Sequence, residues 1–170
     1  QIVTVSNGFD GEIGNSTNEL DKKFSLTHIG MMNADRNPRI LWKVLAELIA
    51  EQPQFGIDLE LKLIGKIDKA ILQELSKNRL LEKVQCIPYL AHDAVMAAQK
   101  KSQVLLLIVN NVPNAKGIVT GKIFEYLMAK RPILAIAPKD GDLAKIVTQT
   151  NSGVVVAFEE SAVLKNTILD

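Results

Sequence analysis

Six short apolar runs, separated by segments of helical length and spacing, constrain this chain more than any other feature. The runs are FSLTHIG, LELKLIG, KVQCIP, SQVLLLIV, PILAIA and GVVVAF, all from Phe24 onward. Between them lie helical segments at Pro38 to Glu51, Lys69 to Lys77, Asp93 to Lys100, Gly121 to Lys130 and Gly141 to Thr148. Strands this short, joined through helices, imply right-handed βαβ crossovers and a parallel sheet. LLLIV is apolar throughout, as a strand covered on both faces should be. Ile40, Leu41, Val44, Leu45, Leu48 and Ile49 form one side of a helix packed on that sheet, with Trp42 off this face and expected at an edge. The expected fold is a doubly wound, Rossmann-like α/β domain over 24–170, with about six parallel strands and helices on both faces. In the common strand order 3-2-1-4-5-6, the first and fourth strands are neighbours, and ligands bind where the loops after them diverge. Here those loops are GMMNADRNP, from Gly30 to Pro38, and NNVPNAKGIVTG, from Asn110 to Gly121.

Composition narrows the function. A net charge of +1 over 170 residues gives no broad attraction to nucleic acid or an acidic membrane, so any basic site is local. Cys86 is the only cysteine, which excludes an intrachain disulfide; a cytoplasmic, reducing location is expected. No apolar run approaches the roughly 20 residues a membrane helix needs. Asn7 to Lys23 is rich in Gly, Asn, Asp and Ser and reads as turn and surface loop. The chain starts at Gln1, IVTVSNG reads as a strand arriving from elsewhere, and SAVLKNTILD has helical spacing but no cap. These features lead to the expectation of a piece of a longer protein. Residues 1–23 would be a linker and strand from a missing N-terminal domain.

The loop before Gly121 contains two glycines and a Gly-Lys pair, yet it is not a phosphate-binding P-loop. Only three residues separate Gly117 from Gly121, Ile123 stands where a magnesium-holding hydroxyl is needed, and the loop follows the fourth strand rather than the first. The dinucleotide fingerprint G-x-G-x-x-G is also missing after the first strand. Simpler physics survives: Thr120 can cap the following helix, whose free first-turn amides suit an anion. The alternative is a turn that only joins strand to helix. Glu125 lies beside the expected buried arc of Ile123, Phe124, Leu127 and Met128, near the helix start, where a carboxylate can accept two ribose hydroxyls. The alternative is a solvated glutamate paired with Lys122. His28 ends the first strand near the crevice and is more often structural than catalytic in such a place. Cys86 is expected as a small core residue, and no His, Cys, Asp and Glu cluster has metal-ligand spacing.

TGKIFEYLMAKRPILAI resembles the glutamate-helix motif in the C-terminal domain of GT-B glycosyltransferases, in the large retaining branch that uses nucleotide sugars. VSNGFD, HIGMMNADRNPRILWKVLAEL, KLIG and AHDAVMAAQKKSQVLLLI extend the resemblance over nearly the whole chain. The resemblance implies retaining transfer of a sugar from a UDP- or GDP-sugar to an acceptor, as in polysaccharide biosynthesis, with no metal and no further cofactor. Glu125 would hold the donor ribose. Gly30, Arg36, Val119, Thr120, Gly121 and Lys122 would hold the diphosphate, and Pro88, Tyr89 and Leu90 the base. His92 would hydrogen-bond near the base, unless Asp93 simply caps that helix, and Tyr89 would otherwise be a half-buried aromatic. Arg36 would otherwise be an exposed helix-start residue paired with Asp35 or a neighbouring acid. Two departures stand out. The family's earlier glutamate, which contacts the sugar, falls at Gly117, and its diphosphate-binding Arg and Lys fall at Met31 and Arg36. Catalytic residues stay unassigned. The missing domain would bring the acceptor site and any attachment to the inner face of a membrane, so the fragment would bind donor without transferring sugar. The rival readings are a GT-B nucleotide-sugar 2-epimerase and a non-catalytic nucleotide-binding or receiver-like signalling domain. For the receiver, FSLTHIG and LELKLIG lack the acidic cluster it needs.

Overall fold

The computed structural model describes residues 19–170, so the strand expected at IVTVSNG lies outside the described residues. The strands are β1 (Phe24–Ile29), β2 (Leu59–Ile64), β3 (Val84–Ile87), β4 (Val104–Ile108), β5 (Ile133–Ile136) and β6 (Gly153–Val156). The helices are α1 (Arg39–Glu51), α2 (Pro53–Asp58), α3 (Lys69–Lys77), α4 (His92–Lys101), α5 (Lys122–Ala129), α6 (Asp142–Gln149) and α7 (Ser161–Leu169). All strand pairs are parallel, in the order β3-β2-β1-β4-β5-β6. The crossovers therefore change direction between β1 and β4, which opens a crevice at the carboxyl ends of those two strands.

Each face of the sheet has its own core. On one, Leu26, Leu61, Leu63, Leu106 and Ile136 meet Leu41, Leu45 and Leu48 of α1, Ile71 and Leu75 of α3 and Leu164 of α7. On the other, Leu105, Leu107, Val109 and Ala135 meet α5 through Ile123, Tyr126 and Ala129, and α6 through Leu143 and Val147. β1 alternates in chemistry while being buried almost throughout. Leu26 joins the first core, while Ser25 and Thr27 are buried on the opposite face and fully paired. The hydroxyls of Ser102 and Thr27 are 2.7 Å apart, and the Gln103 amide donates to Ser25 Oγ at 2.9 Å. Arg131 then ties the start of β4 by donating to Ser102 O at 2.7 Å.

Three expectations are corrected here. Trp42 is fully buried rather than at an edge, with Nε1 donating to Asn37 Oδ1 at 2.9 Å. Because α1 touches α2, α3 and α7 as well as the sheet, its buried arc is wider than one helix face. Cys86 is exposed rather than in the core, because β3 is an edge strand with Gln85 and Cys86 both open to solvent. Along α5 the buried residues are Ile123, Tyr126 and Ala129, while Phe124, Leu127 and Met128 are half-buried. The helix is thus rotated so that its tyrosine faces β1.

Candidate functional site

The crevice is built on two glycines at the ends of adjacent strands. Gly30 follows β1 at φ +120° and Gly65 follows β2 at φ +118°, a left-handed region that side chains rarely adopt. A β-carbon at Gly65 would meet Gly30 O at 2.7 Å, so only bare backbone lets the two chain ends pass this closely. Beyond Gly30, Met32 is buried and stitched to the loop after β2: its amide donates to Lys66 O at 3.0 Å and its carbonyl accepts from Asp68 N at 3.0 Å. A short 3-10 turn at Ala34–Arg36 follows, with Asn33 Oδ1 accepting from Arg36 N at 3.2 Å.

The loops after β1 and β4 are joined directly. Asn111 N donates to Asp35 O at 3.2 Å, and Arg36 Nε donates to Asn110 Oδ1 at 2.5 Å. Arg36 Nη1 also donates to Met31 O at 3.2 Å. Arg36 is therefore anchored by neutral groups, and the expected alternative of an ion pair with Asp35 is not formed. Lys122 reaches across from α5 to the end of β1, so that a β-carbon at Gly30 would lie 2.4 Å from its Cε and 2.9 Å from its Nζ. One turn further along α5, Tyr126 Oη accepts from Ile29 N at 3.2 Å, pinning the helix to the same strand end. Burial pushes the Tyr126 phenol well above its ordinary range, so it stays a neutral hydroxyl.

His28 lies under this arrangement, 2% exposed, its Nδ1 3.1 Å from Leu106 O. A carbonyl only accepts, so Nδ1 carries the proton and Nε2 is a bare lone pair with no partner among the described residues. Burial holds its pKa down to about 4, opposed by backbone hydrogen bonding at Leu106 and, more weakly, at Met31, and helped by the positive charges of Lys122 and Arg36.

Ion pairing is partial over the described residues. Lys62, Lys77, Lys116, Lys139, Lys145 and Lys165 all pair with carboxylates. Arg36 and Lys122 make no ion pair among the described residues, as is also true of cations elsewhere such as Lys66, Lys69 and Lys83. Nothing described accepts from the amides of Val119, Thr120 and Gly121, which lead into α5. Thr120 Oγ1 accepts from Lys122 N at 3.4 Å, although Gly121 rather than Thr120 is the N-cap residue. Lys122 beside Gly30 and Arg36 beside Asn110, both near enough to His28 to lower its pKa, bring two positive charges to the ends of β1 and β4, an arrangement suited to an anion.

Glu125 is half-buried on α5 and makes no ion pair with Lys122; instead Oε2 accepts from Gln99 Nε2 at 3.0 Å. After β3, Tyr89 is 90% exposed rather than half-buried, Pro88 is exposed and Leu90 is half-buried. His92 is exposed at the first position of α4, whose start has no side-chain cap, so Asp93 does not serve as one. Sequence reasoning passed over Asn110, Tyr126 and Gln99. The pair of asparagines ending the fourth strand was a usable signal for the first of these. Among the described residues, no group of three or more His, Cys, Asp and Glu is placed to hold a metal ion.

No protein-family model matches the chain, and no curated protein matches it by sequence. Solved structures do match. WaaG, a glycosyltransferase involved in lipopolysaccharide biosynthesis, superposes with a TM-score of 0.67 at 17% identity, over 88% of this chain and 39% of its own. HepE from Anabaena, solved in complex with UDP and glucose, gives 0.65 at 18% identity over 86% of this chain and 38% of its own. The C-terminal domain of LpcC, a glycosyl transferase group 1 family protein from Francisella tularensis, gives 0.62 at 13% identity, over 88% of this chain and 75% of that domain. The chain thus spans well under half the length of WaaG and HepE. Its fold is that of the C-terminal domain of GT-B glycosyltransferases.

Proposed function

We propose that this chain is the donor-binding domain of a glycosyltransferase that takes a nucleoside-diphosphate sugar, a UDP- or GDP-sugar. The observation that supports the reading is the placement of Lys122 over Gly30 and of Arg36 beside Asn110, at the ends of β1 and β4, with Glu125 one turn along α5 from Lys122. Arg36, Lys122, those amides and the bare backbone at Gly30 take the diphosphate. Glu125 takes the ribose hydroxyls, and Pro88, Tyr89 and Leu90, with His92 beside them, border the base.

In the reaction, the acceptor's nucleophile bonds to the sugar's anomeric carbon as the bond from that carbon to the diphosphate oxygen breaks, and charge builds on the leaving phosphate. Preorganised cations and amides stabilise that charge without reorganising as it develops. His28, held neutral, adds no further charge to the floor and supports the Leu106 backbone. Retention of anomeric configuration is part of this reading. So is an acceptor site on a second domain across a cleft, since GT-B transfer is an interdomain reaction. Titration calorimetry with UDP, GDP, uridine and guanosine tests the binding half. Affinity for one diphosphate at least tenfold above its nucleoside is expected, and equal or undetectable binding of all four contradicts it. Product analysis on a longer protein containing this chain, with donor and acceptor supplied, distinguishes glycoside from an epimerised free sugar.

A further inference from the structure

We infer that Gln99 is a positioning residue that presents the Glu125 carboxylate to the ribose, an inference that rests on the donor-binding reading above. α4 is a half-exposed helix, and its single fully buried residue is this glutamine, at 0% exposure. A buried amide is costly unless paired, and a methionine would fill similar space without that cost. The other buried polar residues, Ser25, Thr27, Ser102 and His28, bond to one another or to the backbone and so hold the sheet together. Gln99 has a different kind of partner. Its one hydrogen bond runs 3.0 Å from Nε2 to Glu125 Oε2, while its own Oε1 is buried without a partner among the described residues. The half-satisfied amide makes no backbone bond that would justify it as scaffold.

The chemistry of the pair fits positioning. A carboxylate only accepts, so the amide must turn its NH2 toward Glu125, and this fixes the amide orientation. A neutral donor restrains the carboxylate without cancelling its charge, as a lysine or arginine at the same place would. Oε1 of Glu125 has no partner among the described residues, and Oε2 keeps a lone pair beyond the one Gln99 uses. Both oxygens are therefore able to accept from a vicinal diol. Without the amide, Glu125 has to be immobilised at the moment of binding, a cost that corresponds to roughly 3- to 10-fold in affinity.

The test uses this chain with UDP and GDP, and with the 2′,3′-dideoxy analogue of whichever binds tighter, in calorimetric titrations of wild type, Gln99→Met and Gln99→Glu. Gln99→Met is expected to lower affinity for the ribonucleotide by about 3- to 10-fold, leave the dideoxy analogue unchanged, and have no further effect once Glu125→Ala is present. Gln99→Glu sets a second carboxyl against Glu125. Its binding should be weaker at pH 8 and recover toward pH 5.5, where one carboxyl of the pair holds a proton and donates again. Unchanged ribonucleotide affinity in Gln99→Met overturns the inference, as does equal loss for ribo- and dideoxynucleotide, which would mark a packing role. If wild type binds neither UDP nor GDP, the donor-binding reading itself falls and takes this inference with it.

Discussion

Acidifying the protein from pH 7 to pH 4.5 should remove stability through His28, and replacing that residue should abolish the loss. The ring has an ordinary pKa of 6.5 and is held at about 4 in the folded state, chiefly by burial. Between those values the unfolded chain binds a proton that the native chain does not, so stability falls as pH falls. The contribution is fully present above pH 6.5 and is lost progressively down to about pH 4. A gap of about 2.5 pKa units at about 1.36 kcal/mol each amounts to roughly 3 kcal/mol, of which about 2.5 should be lost by pH 4.5. No discount for solvent screening applies, because the ring is essentially enclosed. Urea unfolding of wild type and His28→Asn at pH 7 and pH 4.5 measures it. Asparagine still offers an N–H to Leu106 O but cannot titrate. Carboxylates common to both proteins cancel in the comparison, so wild type should lose about 2.5 kcal/mol more than the variant. Equal losses would refute the account of a neutral imidazole under Lys122 and Arg36.

Arg36→Ala should weaken nucleoside diphosphate binding about tenfold while leaving nucleoside binding nearly unchanged, by calorimetry; equal weakening would make it only a brace between the loops. Glu125→Gln should cost about 1.5–3 kcal/mol of UDP or GDP affinity with little change in melting temperature. Gly30→Ala should destabilise the fold by about 1–3 kcal/mol, since φ +120° disfavours any side chain and the new methyl displaces Lys122. Trp42→Ala should cost about 3–5 kcal/mol in urea unfolding, a loss that an edge tryptophan would not give.

The parallel α/β class was legible because it follows from the alternation of apolar runs with helices, which depends on short-range periodicity alone; the strand order came from the commonest doubly wound arrangement. The neighbourhood of Arg36 and Lys122 was legible for a related reason: the topology assigns the loops after β1 and β4 to one crevice before any side chain is placed. Trp42 was misjudged because one helix's periodicity describes a single buried face, whereas α1 has neighbours on several sides. Cys86 was misjudged because an edge strand and an inner strand can carry the same local pattern. Gln99 had no signal at all, since AAQKK reads as the polar side of a surface helix. Only the approach of α4 to α5 gives that amide its partner. The same holds for Asn110 and Arg36, which are 74 residues apart in sequence.

The most direct test of donor binding at this crevice is a crystal structure of the chain soaked with UDP or GDP, whichever calorimetry selects. The account predicts the ribose hydroxyls on Glu125, and the diphosphate between Lys122, Arg36 and the amides of Val119 to Gly121, lying close over Gly30. A nucleotide bound elsewhere, or bound here with its ribose turned away from Glu125, would contradict it.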